Sequence, residues 1–203
     1  YSKTLLKSSI SNNIIYNHRG LNFSYIENFY DKDKSSYFLD LLLNKVDWQQ
    51  EQINIFGKSI DLPRLTAYYS DPGINYLYSG ISHKSVEYPT FIHSIKLKAE
   101  TFFDAKFNSV LLNRYKDGSQ WHGYHSDNEK ELGDMINICS ISFGASRDFI
   151  FKSKKSKLKK NLNLQNGSAL YMMHPTQKNY NHSLPKRTKV VHERVNLTFR
   201  YIQ

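Results

Sequence analysis

Arg194-Val195-Asn196-Leu197-Thr198-Phe199-Arg200-Tyr201 alternates polar and apolar residues without a break. Successive side chains of an extended chain point to opposite faces. Val195, Leu197, Phe199 and Tyr201 therefore share one face, and Arg194, Asn196, Thr198 and Arg200 share the other. Working backwards, short apolar runs recur at Lys189–His192, Ala169–Met173, Phe149–Lys152, Ile136–Phe143 and Ser109–Tyr115, divided by Gly, Asn, Ser and Pro. With Arg194–Ile202 these make six short strands without intervening helices. That pattern predicts a sandwich or barrel rather than a parallel α/β sheet.

The first half reads differently. Phe38, Leu41, Leu42 and Lys45 fall at helical spacing and predict an amphipathic helix over Ser35–Val46. A second helix is expected after Pro89, burying Phe91, Ile92, Ile95, Ala99, Phe102 and Phe103. Between them lies a β-like, aromatic-rich segment with turn signals at Phe56-Gly57, Asp71-Pro72-Gly73 and Ser79-Gly80. The polar, Asn/Ser-rich residues 1–30 are expected to form a loosely ordered arm, ahead of a helical region at 31–107 and a β core at 108–203. The last two are expected to form one compact unit, and the fold class is mainly β with flanking helices (α+β).

The chain has 203 residues, 28 Lys+Arg and 18 Asp+Glu, for a formal charge of +10. From Phe149 to His192 there is no acidic residue, while Lys152, Lys154, Lys155, Lys157, Lys159, Lys160, Lys178, Lys186, Arg187 and Lys189 are all basic. The remainder is formally neutral. That distribution excludes a uniformly basic histone-like protein and points to an oriented contact with a polyanion. This length buries roughly 70 % of the unfolded surface, so no covalent staples are needed. The single Cys139 excludes a disulfide framework and is expected to be a small core residue in a reducing compartment. No apolar run approaches the ~18 residues of a membrane span, and residues 1–10 contain no secretory apolar stretch. A soluble protein is expected.

Two clusters carry chemistry. On the terminal strand, Arg194 and Arg200 bracket Asn196 and Thr198 on one face. The face suits an edge strand turned to solvent and a carboxylate trap equally well, since an arginine fork holds a carboxylate through two parallel hydrogen bonds. Upstream, His125-Ser126-Asp127 places two metal-ligand types on one side of an extended segment. His182, 57 residues on, is the candidate third ligand. Two histidines and one carboxylate on one triangular face leave coordination positions open, the arrangement of non-heme Fe(II) oxygenases. His-x-Asp alone is a weak signal. With a distant His and an Arg-rich terminal strand it is much stronger, because each part needs the others. His174 has no ligand partner at short spacing and is read as structural, while Trp121 and His122 fit packing or nucleic-acid contact equally well.

The motifs Asn113-Arg114-Tyr115-Lys116-Asp117-Gly118, His125-Ser126-Asp127-Asn128-Glu129, Ser142-Phe143-Gly144-Ala145, His182-Ser183-Leu184-Pro185 and Arg194-Val195-Asn196-Leu197-Thr198-Phe199-Arg200 occur in one order. In that order they resemble the AlkB family of Fe(II)- and 2-oxoglutarate-dependent dioxygenases, and within it the branch that repairs alkylated double-stranded DNA. The resemblance covers essentially everything from about Pro63 to the C-terminus. It implies a double-stranded β-helix (jelly-roll) core preceded by a nucleotide-recognition lid. It also implies Fe(II) held by His125, Asp127 and His182, with 2-oxoglutarate and O2 as co-substrates. Arg194, Thr198 and Arg200 would bind 2-oxoglutarate carboxylates, joined by Asn113, Tyr115 and Asn196.

For the lid, the resemblance makes Phe56 an apolar finger inserted into the duplex, Tyr78 a stacking platform for the flipped base, Tyr76 a polar contact and Glu129 an acidic pocket residue. The family commonly has Phe where Tyr78 stands, and close relatives an acidic residue where Asn128 stands. Arg64, Lys154, Lys155, Lys157, Lys159 and Lys160 would reach the DNA backbone. The lysines form an exposed hairpin tip whose bland reading is a solvated loop.

The implied activity is oxidative demethylation of 1-methyladenine and 3-methylcytosine by base flipping, with release of formaldehyde, succinate and CO2. Double-stranded DNA is the favoured partner and single-stranded DNA a further one, with the protein acting as a monomer away from membranes. It is expected inside the cell, in the nucleus of a eukaryote and otherwise in the cytoplasm. The alternatives are an RNA demethylase on the same fold and a catalytically silent nucleic-acid-binding jelly roll.

Overall fold

The computed structural model describes residues 13–55, 57–78 and 80–203, the side chains of Asn54, Ile55 and Tyr78 excepted. The chain opens with strands β1 (Ile14–His18) and β2 (Leu21–Ile26), then helix α1 (Lys32–Lys45). Two hairpin strands follow, β3 (Gln52–Ile55) and β4 (Lys58–Asp61), then β5 (Leu65–Ser70), and a second small pair, β6 (Tyr76–Tyr78) and β7 (Ile81–His83). Helix α2 (Thr90–Phe103) leads into β8 (Ser109–Tyr115), β9 (His122–His125), β10 (Ile138–Gly144), β11 (Arg147–Ser153), β12 (Lys159–Leu164) and β13 (Ser168–Met172). The short helix α3 (Thr176–Asn179), β14 (Tyr180–Leu184) and β15 (Arg194–Arg200) complete the described elements.

The strands form a major antiparallel sheet, ordered β1-β2-β13-β10-β15-β8-β5, and a minor one, ordered β12-β11-β14-β9. Helices α1 and α2 cover one face of the major sheet. Phe38, Leu42, Ile92, Ile95 and Ala99 pack there against Val110, Leu112, Ile141, Val195, Leu197 and Phe199. A second apolar cluster joins Leu111, Ile138, Leu170 and Met172 of the major sheet to Phe149, Phe151, Leu162 and Leu184 of the minor one. The expected jelly-roll sandwich is the observed architecture.

β15 decides the layering. It lies between β10 and β8 rather than at an edge, and all seven of its residues are buried. Its apolar face meets the helices, so its polar face is turned into the space between the sheets.

Four expectations need correction. Residues 1–12 lie outside the described part, but from Ile14 the anticipated loose arm is a hairpin built into the major sheet by pairing of β2 with β13. Leu21, Phe23 and Tyr25 alternate inward and are buried, and Phe23 stacks on Phe151 with ring centroids 5.3 Å apart. Arg19 and Gly20 both take positive φ, the backbone a two-residue turn needs to match the twist of its strands.

Lys189–His192 is not a strand. Its backbone is engaged by a turn, with the Gly118 N–H donating to the Val190 carbonyl and the Arg187 N–H to the Gly118 carbonyl, each at 2.7 Å. A Cβ on Gly118 would collide with the Arg187 carbonyl oxygen. Helix α2 buries Ile92, Ile95 and Ala99 as expected, but also Lys96 and Glu100. Phe102 stands largely exposed. Helix α1 starts earlier than its apolar period shows, because the Asp31 carboxylate caps it by accepting from the Lys34 N–H at 2.8 Å.

If the hairpin of β1 and β2 is part of the core, Phe23→Ala should lower the unfolding free energy by about 3–5 kcal/mol in chemical denaturation. An unchanged denaturation midpoint would return the segment to a dispensable arm.

Candidate active site

The space between the sheets gathers the residues singled out in the sequence. β9 and β14 pair with His125 directly opposite His182. Asp127 follows β9 by two residues, and one ligand atom from each of His125, Asp127 and His182 lies within 4.8 Å of the others. Among the described residues this is the group of His, Cys, Asp and Glu side chains placed to hold a metal. His174 is not in it, and Cys139 is buried in the core as expected.

The donor set is prepared electrostatically. His125 Nδ1 lies 2.8 Å from the Gly123 carbonyl, so Nδ1 carries the proton and Nε2 is left as the donor atom. Phe149 stacks on the His182 ring at 5.1 Å. Burial pushes both imidazoles below their ordinary basicity, His182 to about 3. Burial opposes ionisation of Asp127, but the charge and hydrogen bond of Arg200 together with the two histidines outweigh it and hold the carboxyl at about 2. The Arg200 guanidinium donates to Asp127 Oδ1 at 2.9 Å. Two neutral imidazoles and one carboxylate therefore stand ready at neutral pH without first losing protons. That set fits a divalent transition metal with open positions.

The inward face of β15 and its neighbours forms the adjoining wall. Arg194 sits opposite Tyr115 and Asn196 opposite Asn113 across the β15–β8 pairing, and these four line one cavity with Thr198, Arg200 and the three candidate ligands. Arg194 is 2 % exposed and donates to Ser142 Oγ at 2.9 Å. Its Nε has no partner, and no described carboxylate forms an ion pair with it. Burial lowers its pKa to about 10, against the attraction of Tyr115. A sealed arginine without a counter-ion is costly unless an anion completes it, which is what a dicarboxylate co-substrate would do. Asn196 donates to Ser140 Oγ at 2.7 Å and accepts from Thr198 Oγ1 at 3.0 Å.

Arg64 does not stand at an outer surface, as a backbone contact would require. It precedes β5, which pairs with β8, and its buried side chain turns inward so that Nε donates to Asn113 Oδ1 at 2.6 Å. It also lies 3.3 Å from His122 Nε2. His122, undecided in the sequence, stacks on the His125 ring at 3.8 Å and belongs to the site wall. Strand alternation puts residues 122 and 125 on opposite faces, so no periodic signal reveals this contact. The irregular pairing of β9 with β14 produces it. Trp121, by contrast, is 37 % exposed, with Lys186 Nζ 5.8 Å from its ring.

On the lid side, Tyr76 is buried, stands beside Glu129 and favours its ionised form, and lies 5.7 Å from the Arg200 guanidinium. Burial raises the Glu129 pKa, and Asp127 adds to the effect. The Tyr78 side chain and Phe56 lie outside the described residues. The lysine run forms the expected hairpin between β11 and β12, with Lys152, Lys154, Lys155, Lys157 and Lys159 exposed.

A model of the 2OG-Fe(II) oxygenase superfamily matches residues 22–200, and the chain belongs to that family. More narrowly it is an AlkB-type member. It is 42 % identical over 159 residues to the DNA oxidative demethylase ALKBH2 of Homo sapiens, covering 74 % of this chain and 61 % of that protein. It is 34 % identical over 210 residues to the Arabidopsis thaliana ALKBH2, covering 90 % and 67 %. The alpha-ketoglutarate-dependent dioxygenase alkB homolog 3 of Mus musculus is 31 % identical over 184 residues, covering 86 % and 64 %. The chain thus spans 57 to 66 % of the length of the mammalian ALKBH2 proteins it matches. The solved structure of OsALKBH1 has the same fold, with a TM-score of 0.66 at 15 % identity, covering 92 % of this chain and 98 % of that one. Family membership implies Fe(II), 2-oxoglutarate and O2, and the donor set and the uncompensated arginine fit that requirement.

Burial depresses the basicity of His83, His122, His125 and His182 below 6.5. The unfolded chain then binds more protons once the pH falls below about 6.5, so this contribution to stability is present above that pH and lost beneath it. The melting temperature of the metal-free protein should fall between pH 7 and pH 5, with a divalent metal opposing the fall. A flat profile would show that these imidazoles are not held neutral.

Proposed function

We propose that this chain oxidatively demethylates N-alkylated bases in DNA, with duplex DNA preferred. One observation carries the proposal. A buried and a half-buried histidine, both neutral, and a buried ionised aspartate face a sealed arginine that lacks a counter-ion. The relatives named as DNA oxidative demethylases supply the substrate class. His125, Asp127 and His182 would hold the iron, which with 2-oxoglutarate and O2 supplies the oxidation of an N-methyl group, yielding succinate, CO2 and formaldehyde.

The remaining work falls to the protein's own groups. Arg194, steadied by Ser142, takes a carboxylate of 2-oxoglutarate. Arg200, Thr198, Asn196, Asn113 and Tyr115 complete the polar wall around it. Arg200 also keeps Asp127 anionic. Tyr76 and Glu129 stand at the lid side of the same region and present a hydroxyl and a carboxyl to a base. A methyl on a ring nitrogen of adenine or cytosine adds positive charge and blocks pairing. 1-Methyladenine and 3-methylcytosine are therefore cheaper to flip and suit aromatic faces beside a carboxyl. Tyr78 would supply the stacking face and Phe56 the finger that fills the gap. Lys155, Lys157, Lys159 and Lys160 would face the phosphates.

A product assay should test methylated bases in single- and double-stranded DNA and RNA. Succinate and formaldehyde are expected from 1-methyladenine and 3-methylcytosine in DNA, with Phe56→Ala lowering turnover on duplex more than on single strands. Turnover confined to RNA, or DNA binding without succinate, would overturn the proposal in favour of an RNA demethylase or a silent binder.

Two substitutions divide the site. Asp127→Ala should weaken metal binding by more than the roughly 10–100-fold that loss of an outer partner costs, leaving DNA affinity in place. Arg194→Met should raise the KM for 2-oxoglutarate by roughly 30-fold or more, the loss expected when one member of a buried charge pair is removed. An unchanged KM would place the co-substrate carboxylate elsewhere.

A further inference from the structure

Lys154 lies at the start of the lysine-rich turn, among residues expected on DNA phosphates, yet its ammonium is already engaged. It donates to Ser126 Oγ and to the Gln177 carbonyl, both at 2.8 Å. The Lys154 N–H donates to the Asn179 carbonyl at 2.9 Å, immediately before β14. Ser126 separates His125 from Asp127 in the chain. Gln177 is buried in α3. Its Oε1 accepts from the Asp127 N–H at 3.2 Å, and its Nε2 approaches Met172 Sδ at 3.5 Å.

These contacts matter because of where the ladder stops. β9 ends at His125, so Asp127 lies beyond the strand pairing that fixes His125 against His182. Its backbone is held by the Gln177 amide and its carboxylate by Arg200. Gln177 is in turn secured by Lys154, whose three ammonium hydrogens suffice for two acceptors on separate segments. One side chain of the β11–β12 hairpin therefore touches both the segment carrying His125 and Asp127 and the segment leading to His182.

We infer that Lys154 and Gln177 form a strap that sets the spacing of the two ligand-bearing segments, so that Lys154 is a positioning residue of the metal site and not a phosphate contact. The inference rests on the proposed assignment of His125, Asp127 and His182 as ligands. It separates Lys154 from its neighbours in the lysine run, which carry the phosphate contacts.

Lys154→Met keeps the length of the side chain and removes its donors, while Lys154→Arg retains them. Two quantities are read on each: Mn(II) affinity and the EPR spectrum of bound Mn(II), titrated into the metal-free protein, and the salt dependence of duplex DNA binding. The strap predicts a loss of Mn(II) affinity on the order of 10-fold in Lys154→Met, with an altered EPR spectrum, recovered in Lys154→Arg. The slope of log K against log salt should not change. Should Lys154→Met fail to fold, Ser126→Ala removes a single acceptor and should give a smaller loss in the same direction. Mn(II) affinity equal to the parent's, or a slope shallower by about 0.9 as expected for one lost phosphate contact, would overturn the inference. If the unaltered protein bound no Mn(II), the ligand assignment itself would fall, and the strap with it.

Discussion

Arg200 and Asp127 meet almost wholly buried, 4 % and 1 % exposed, with 2.9 Å between guanidinium and carboxylate. Each would be prohibitively costly to bury alone, so each requires the other. Removing one member of such a pair typically costs about 3–5 kcal/mol because the survivor is left as an uncompensated charge. The pair joins the last strand of the major sheet to the segment that follows β9 of the minor sheet. It closes the two sheets on one another and keeps Asp127 ionised for a metal. Fold closure and chemical readiness depend on the same contact.

Around that contact the site is held by polar groups that face inward because the layering leaves them nowhere else. The helices occupy the outer face of the major sheet, so the alternate residues of β15, β8 and β10 lie between the sheets. Arg147 does comparable work at the other end. Its guanidinium donates to the carbonyls of Asp117, Gln120 and Pro185 at 3.2, 2.8 and 2.8 Å, fastening the loop before β9 to the loop after β14. Both ligand strands are therefore anchored at the ends where pairing gives out. Buried polar networks of this kind stabilise only when nearly complete. Arg194 Nε is one of the buried polar atoms that this network leaves without a partner, and it belongs to a side chain that lines the cavity.

Much of this was legible in the residue order. The alternation of Arg194–Tyr201 identified the last strand and its polar face, and Ser109–Tyr115 was legible to the residue. The spacing of His125, Asp127 and His182 predicted a metal group that the fold brings together. The N-terminal hairpin was hidden because its apolar residues are few and its partner, β13, is remote in sequence. His122 was hidden because an irregular pairing, not a period, turns it onto His125. The inward turn of Arg64 was hidden because a cation beside a predicted nucleic-acid surface looks the same on paper whether it faces phosphate or Asn113.

By itself, then, the sequence determined which residues alternate, which types can bind metal or carboxylate, and where charge accumulates, since these follow from local spacing and side-chain chemistry. It left open whether the polar face of Arg194–Arg200 was an edge turned to water or a wall of an interior cavity. Only the tertiary structure decided that, by placing β15 in the centre of a sheet whose other face is covered by helices. The same burial that hides Arg194 from water removes the dielectric screening that would otherwise weaken its hold on an anion. A pattern compatible with an ordinary surface strand thereby became the wall of a cavity.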